Sequence, residues 1–227
     1  MIKYDNLFPE FNEDVSRVIL LRHFESIKNT SNIHGGSGDI LTDWGRKQAI
    51  PICDKLTNLE INKGTVSLFH SNSVQIRESA QIIANNFDIK PVETSLLSSI
   101  NLGRLNGISD ADALEQFPKD YELMEQWRKR EIEIDALRPI GMEAPELFWG
   151  RGVKFLSLLN CFNNIVICST STMILLSHIL CGNSYLPGHG YCHIPIKNAQ
   201  VVSFDFSRRM PHLDSKNTDK ELLEYLL

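Results

Sequence analysis

The sequence predicts an α/β protein, a three-layer α/β/α sandwich around a mostly parallel central sheet. Three observations point there. Short apolar runs rich in branched residues, at 18–21, 65–69 and 165–168, read as buried strands. Longer stretches with apolar residues at helical spacing alternate with them. The first run ends abruptly in Arg22-His23, which puts a guanidinium fork and an imidazole at a strand end, where a parallel sheet has its ligand crevice.

Taken in order, residues 1–14 are expected to form an N-terminal extension, and 15–227 a single domain. The loop after the first strand holds Gly35, Gly36 and Gly38, for which a plain flexible connection and a backbone anion site are both open readings. Thr42 is an N-cap for a helix to about Leu59. Residues 65–69 then form a strand, 74–87 a helix, and 91–109 an irregular segment. The dense charges of 110–135 suggest one or two exposed helices, a candidate lid. Leu147, Phe148, Phe155, Leu158 and Leu159 make a core-facing helical stripe within 145–160. A strand at 165–168, a helix at 172–181 and a strand at 201–206 follow. Thr218-Asp219-Lys220-Glu221 reads as a capping box for a C-terminal helix over 218–227, docked on its own domain or on a second chain.

Composition narrows the function classes. With 227 residues and 42% hydrophobic content, the chain can build one large core. A net charge of −5 argues against a nucleic-acid partner but leaves room for one phosphorylated small molecule held by a local arginine cluster. Met1–Asp14 lacks the basic start and apolar centre of a signal peptide, and no apolar run reaches the length of a membrane span. The five cysteines are odd in number and form no Cys-x-x-Cys pair, so reduced thiols and a cytoplasmic location are expected. A homo-oligomer is left open.

The segment Leu21-Arg22-His23-Phe24-Glu25-Ser26, with Asn29 and then Asp39-Ile40-Leu41-Thr42-Asp43-Trp44-Gly45-Arg46-Lys47-Gln48-Ala49, resembles the signature of the histidine phosphatase superfamily, also called phosphoglycerate mutase-like. That family reads strand, Arg-His-Gly-Glu, a nearby Asn, then Asp-x-x-Leu-Thr-x-x-Gly-x-x-Gln-Ala. Phe24 stands where glycine is usual. Weaker similarity continues to about Phe206. The resemblance implies a phosphoglycerate mutase-like sandwich, His23 as phosphoryl-accepting nucleophile, Arg22 as phosphate clamp and Asn29 as a neutral donor to the same phosphate.

The rest of the expected site is rewritten. The family's second arginine precedes a Thr-Ala or Ser-Ala pair by four residues. Here Ser79-Ala80 puts Gln75 in that place, with Arg77 two residues on and about 200° around the helix. The usual acids in Leu-x-Glu-x-x-x-Gly-x-x-Glu-Gly are replaced by Ser99 and Asn106, and the second histidine by Thr170. Arg77, His70, Thr170 and Glu25 are therefore candidates for holding phosphate or substrate, and Glu25, Glu143 and His70 are the substitutes for the missing acid. Gly141-Met142-Glu143 and Arg151 are retained, as a stitch between loop and helix. The family needs no metal or cofactor. His178, Cys181, His189, Cys192 and His193 have zinc-like spacing, yet they fall partly on a helix face that reads as core. The implied function is binding and dephosphorylation of a phosphorylated small molecule through a phosphohistidine on His23, a phosphomonoesterase activity. An inactive pseudophosphatase that binds a phosphorylated ligand or protein, or altered chemistry in the same pocket, are the alternatives.

Overall fold

The computed structural model describes residues 7–36, 38–59, 61, 64–206 and 210–227. A single six-stranded sheet runs through them, built from β1 (Arg17–Arg22), β2 (Val66–His70), β3 (Pro91–Glu93), β4 (Asn163–Cys168), β5 (Val201–Asp205) and β6 (His212–Leu213). The strand order is β3-β2-β4-β1-β5-β6, parallel through β1 and antiparallel for β5 and β6. Arg22 pairs with Cys168, and His70 with Ile167, so the carboxyl ends of β1, β4 and β2 lie side by side.

The α-helices among the described residues are α1 (Ile27–Thr30), α2 (Asp43–Thr57), α3 (Val74–Phe87), α4 (Asp110–Gln116), α5 (Pro118–Arg128), α6 (Pro145–Ser157), α7 (Thr170–Leu180) and α8 (Lys220–Leu226). Side chains alternate across a strand, and β1 uses this to build two cores. Ile19 and Leu21 pack with Ala49, Ile76 and Ala80 of α2 and α3. Val18 and Leu20 pack on the other face with Phe148, Leu156 and Leu175 of α6 and α7. Those are the three layers the sequence predicts.

Several details differ from the sequence reading. Helix α7 starts two residues earlier, at Thr170, because the Ser169 hydroxyl accepts the Thr172 amide and caps it there. Strands β3 and β6 are only three and two residues long, too short to show alternation in sequence. Thr218 is not half of a capping box. Its hydroxyl accepts the Ser203 amide, and Asp219 stands at the N-cap of α8 while its carboxylate accepts the Val201 amide and pairs with Lys55. That helix docks on its own domain through fully buried Leu222. Helices α4 and α5 cover 110–128, and Met124 and Trp127 of α5 are buried rather than exposed. Most of the N-terminal arm's first half, and Ser37 of the glycine loop, lie outside the described residues. No helix among the described residues is long and apolar enough to cross a membrane.

Candidate active site

The loop leaving β1 is held from three sides. The Thr42 hydroxyl caps α2 by accepting the Gly45 amide, and donates to the Glu25 carboxylate at 2.8 Å. A Cβ on Gly45 would lie 2.1 Å from the Glu25 carbonyl oxygen, so only glycine lets α2 approach this loop. Gln48 Oε1 accepts the Glu25 amide at 2.9 Å. From α3, the Ser79 hydroxyl accepts the Phe24 amide at 3.1 Å. The Thr-x-x-Gly-x-x-Gln spacing is thus the lattice that fixes residues 24 and 25.

His23 lies at the centre of the result. Its Nδ1 is 2.7 Å from the Phe24 carbonyl oxygen, so Nδ1 carries the proton and donates. Nε2 has no hydrogen-bond partner among the described residues and holds the free lone pair. Burial, reinforced by the Arg22 charge, pushes the His23 pKa down to about 3, so the ring is neutral at pH 7. Arg22 donates from one guanidinium nitrogen to the Ile196 carbonyl, and burial lowers its pKa only to about 10, so it stays cationic. Asn29 Oδ1 accepts the amide and the hydroxyl of Ser26, which turns its NH2 group free for an anion.

These side chains share one pocket of about 460 Å³ with Lys28, Gln75, Ser99, Thr170 and Lys197. No carboxylate is among its described lining residues. Arg128 and Lys197 are each ion-paired, to Asp110 and Glu125 and to Glu221 respectively. Arg22 and Lys28 have no ion pair among the described residues, so they set the positive field.

Four of the seven candidate residues, Arg22, His23, Asn29 and Thr170, therefore meet. Three do not line the pocket. Arg77 lies outside it, with its guanidinium on Glu93 at 3.1 Å and more than half exposed, because regular α3 geometry points it away from Gln75. Gln75 lines the pocket in its place, its Oε1 accepting the Asp39 amide. His70 is buried, with Nδ1 donating to the Ser71 carbonyl at 2.8 Å, one strand beyond β4 from His23. Glu25 is occupied by Thr42. As substitutes for an acid, Glu25, His70 and Glu143 all fall short. Glu143 forms a two-pronged ion pair with Arg151, whose other nitrogen donates to the Leu96 and Ser98 carbonyls. That pair staples the loop carrying Ser99 to α6.

The glycine loop packs closely: a Cβ on Gly35 would lie 2.0 Å from Asn106 Oδ1. The zinc-like series does not assemble. Both His178 nitrogens are engaged, by the Cys192 carbonyl and by Asn183, and no group of three metal-ligating side chains forms among the described residues. All five cysteines are free thiols.

One residue escaped the sequence reading. Asn198 donates to the His23 carbonyl at 3.0 Å and to Asn29 Oδ1 at 3.2 Å, which ties the His23 backbone to the Asn29 side chain. It sits in the polar run Lys197-Asn198-Ala199-Gln200, a segment with no periodicity to mark it.

Residues 18–219 match the model of the histidine phosphatase superfamily, branch 1. Among solved structures, the chain is similar to the alpha-ribazole phosphatase of Shigella flexneri (18% identity, 87% of this chain and 94% of that one, TM-score 0.70). It is also similar to a mycobacterial glucosyl-3-phosphoglycerate phosphatase (17%, 90% and 99%, TM-score 0.71) and to Bacillus stearothermophilus YhfR (16%, 91% and 98%, TM-score 0.73). No curated protein matches the sequence.

Proposed function

This chain belongs to the histidine phosphatase superfamily, and on that premise we propose that it is a phosphomonoesterase acting on a small phosphorylated molecule through His23. The observation that carries the reading is the fixed tautomer of His23 beside Arg22 and Asn29, in a pocket lined by no described carboxylate. Nε2 attacks phosphorus in line, forms the N–P bond, and the ester P–O bond breaks with its electron pair leaving on oxygen. Arg22, Lys28 and the Asn29 amide hold the equatorial oxygens, and the N-terminus of α7 at Thr170 adds partial positive charge. Water then attacks phosphorus, the N–P bond breaks, and Nε2 recovers its lone pair. The acidic net charge and the five free thiols suit a small-molecule role in a reducing cytoplasm better than nucleic-acid binding.

A second reading, ligand binding without turnover, is favoured by the absence of a carboxylic acid from the described lining residues and by Ser99 and Thr170 in the places of the family's acid and second histidine. Mass spectrometry on protein quenched at alkaline pH during p-nitrophenyl phosphate turnover separates the two. The expected result is a phosphoryl adduct on the His23 peptide, lost in His23→Asn together with hydrolysis. Arg22→Ala lowers kcat/KM by at least about tenfold, and Arg77→Ala leaves it unchanged. No adduct and no hydrolysis establish the second reading.

A further inference from the structure

The pocket that holds Arg22 and His23 has an apolar chamber wall made of Met124, Trp127, Ile134, Leu137, Phe148 and Tyr191, each 9% exposed or less. Trp127 and Tyr191 meet edge to face, with ring centroids 5.9 Å apart, so this wall is rigid as well as apolar. Two of the polar side chains bordering it, Arg128 and Ser171, are occupied. Arg128 is bound to Asp110, Glu125 and His34. The Ser171 hydroxyl accepts the Ile100 amide. Among the described residues, His193 Nδ1 is buried without a hydrogen bond.

A sugar or glycerate body would bury several hydroxyls against this wall, where His193 Nδ1 is the buried unpaired atom to answer them, and each unanswered hydroxyl weakens binding. A hydrocarbon body would lose water along its whole length. Ligand sites are commonly apolar with a few polar anchors, and this one has its anchors gathered at one end. We propose that the pocket takes the phosphate monoester of a predominantly apolar alcohol, aliphatic or aromatic, with space for one polar substituent near His193. This substrate class rests on the reading of the His23 site given above.

Calorimetry with non-hydrolysable phosphonates tests it independently of turnover. Affinity should rise from methyl- to butyl- to octylphosphonate, by about twofold to fourfold per methylene. 2,3-Dihydroxypropylphosphonate should bind no more tightly than methylphosphonate. Half-buried Met142 also lines the chamber, and Met142→Gln should weaken octylphosphonate at least fivefold while leaving methylphosphonate unchanged. Arg22→Ala should weaken both. A flat chain-length series, or a preference for the dihydroxypropyl ligand, overturns the proposal even where His23-dependent hydrolysis is found. A steep series without any hydrolysis retains the chamber's selectivity and removes the phosphatase reading.

Discussion

The carbonyl oxygen of Phe24 fixes the imidazole of His23, 2.7 Å from Nδ1, and it does so from a residue whose side chain never enters the site. Phe24 is fully buried among Leu41, Ile76 and Ala80, on the sheet face covered by α2 and α3. Its amide goes to Ser79 and its carbonyl to His23. A large side chain is tolerated where the family has glycine because the backbone alone does the orienting.

The leaving group should decide the rate. No carboxylic acid is among the described lining residues of the pocket, and absence of a positioned acid typically costs about 10²–10⁴-fold for an alkoxide leaving group. Aryl phosphates, whose phenoxides leave unprotonated, should be turned over far faster than alkyl phosphates. Ser99→Glu should raise alkyl phosphate turnover at least tenfold and barely change aryl turnover. Steady-state rates on a matched aryl and alkyl pair check this, and equal rates in the unmodified protein reveal an acid supplied from elsewhere.

Asn198 should act as a positioning residue. Its amide holds Asn29 Oδ1 and the His23 carbonyl, so Asn198→Ala removes one of the three donors that fix Asn29, beside the Ser26 amide and hydroxyl. Loss of a hydrogen-bonded orienting group of this kind is expected to weaken phosphate binding by about threefold to tenfold. Asn198→Asp removes both donated bonds and brings a carboxylate toward Asn29 Oδ1, so it should be worse than alanine, increasingly so as pH rises through the carboxyl range. Phosphate titrations of both variants at pH 4.5 and 7 check the order. Identical binding by all three proteins removes the role.

How much of this was legible in sequence follows from how local each signal is. Arg22, His23 and Asn29 fall within eight residues, and the Thr42, Gly45 and Gln48 spacing is set by one helix turn after another, so a single pattern carries them. Gln75 and Arg77 could be separated only by the phase of α3, which Ser79 against Phe24 fixes in three dimensions. His70 and Glu25 looked available because a sequence shows the group but not the carbonyl or hydroxyl that occupies it. Asn198 and the chamber wall come from separate segments brought together by folding; Phe148 shows in sequence as part of a helical stripe, but nothing local marks that stripe as lining a pocket.

Arg151→Met should destabilise the fold by about 2–3 kcal/mol, because it leaves the mostly buried Glu143 carboxylate without its cation and frees the carbonyls of Leu96 and Ser98. The loop it releases carries Ser99, and Thr172 also donates to the Leu97 carbonyl in that loop. Chemical denaturation reads the stability loss, and a change below about 0.5 kcal/mol would reduce the pair to surface decoration.

Acid should unfold this protein partly through histidine. Burial holds His23 at about 3, and His178 and His193 at about 4, against 6.5 for an unfolded chain. Above pH 6.5 both states keep these rings neutral, and stability is fully present. As pH falls from 6.5 toward 4, the unfolded chain binds protons that the folded rings refuse, and stability is lost at up to about 1.4 kcal/mol per pH unit for each ring. His178 isolates the effect, since it lies outside the pocket and donates to the Cys192 carbonyl, a bond that glutamine can mimic. Urea midpoints of His178→Gln between pH 7 and 4.5 should fall less steeply than those of the unmodified protein, by close to one proton. Parallel slopes would mean that the folded His178 ring titrates as freely as the unfolded one, and His178 would then drop out of the linkage.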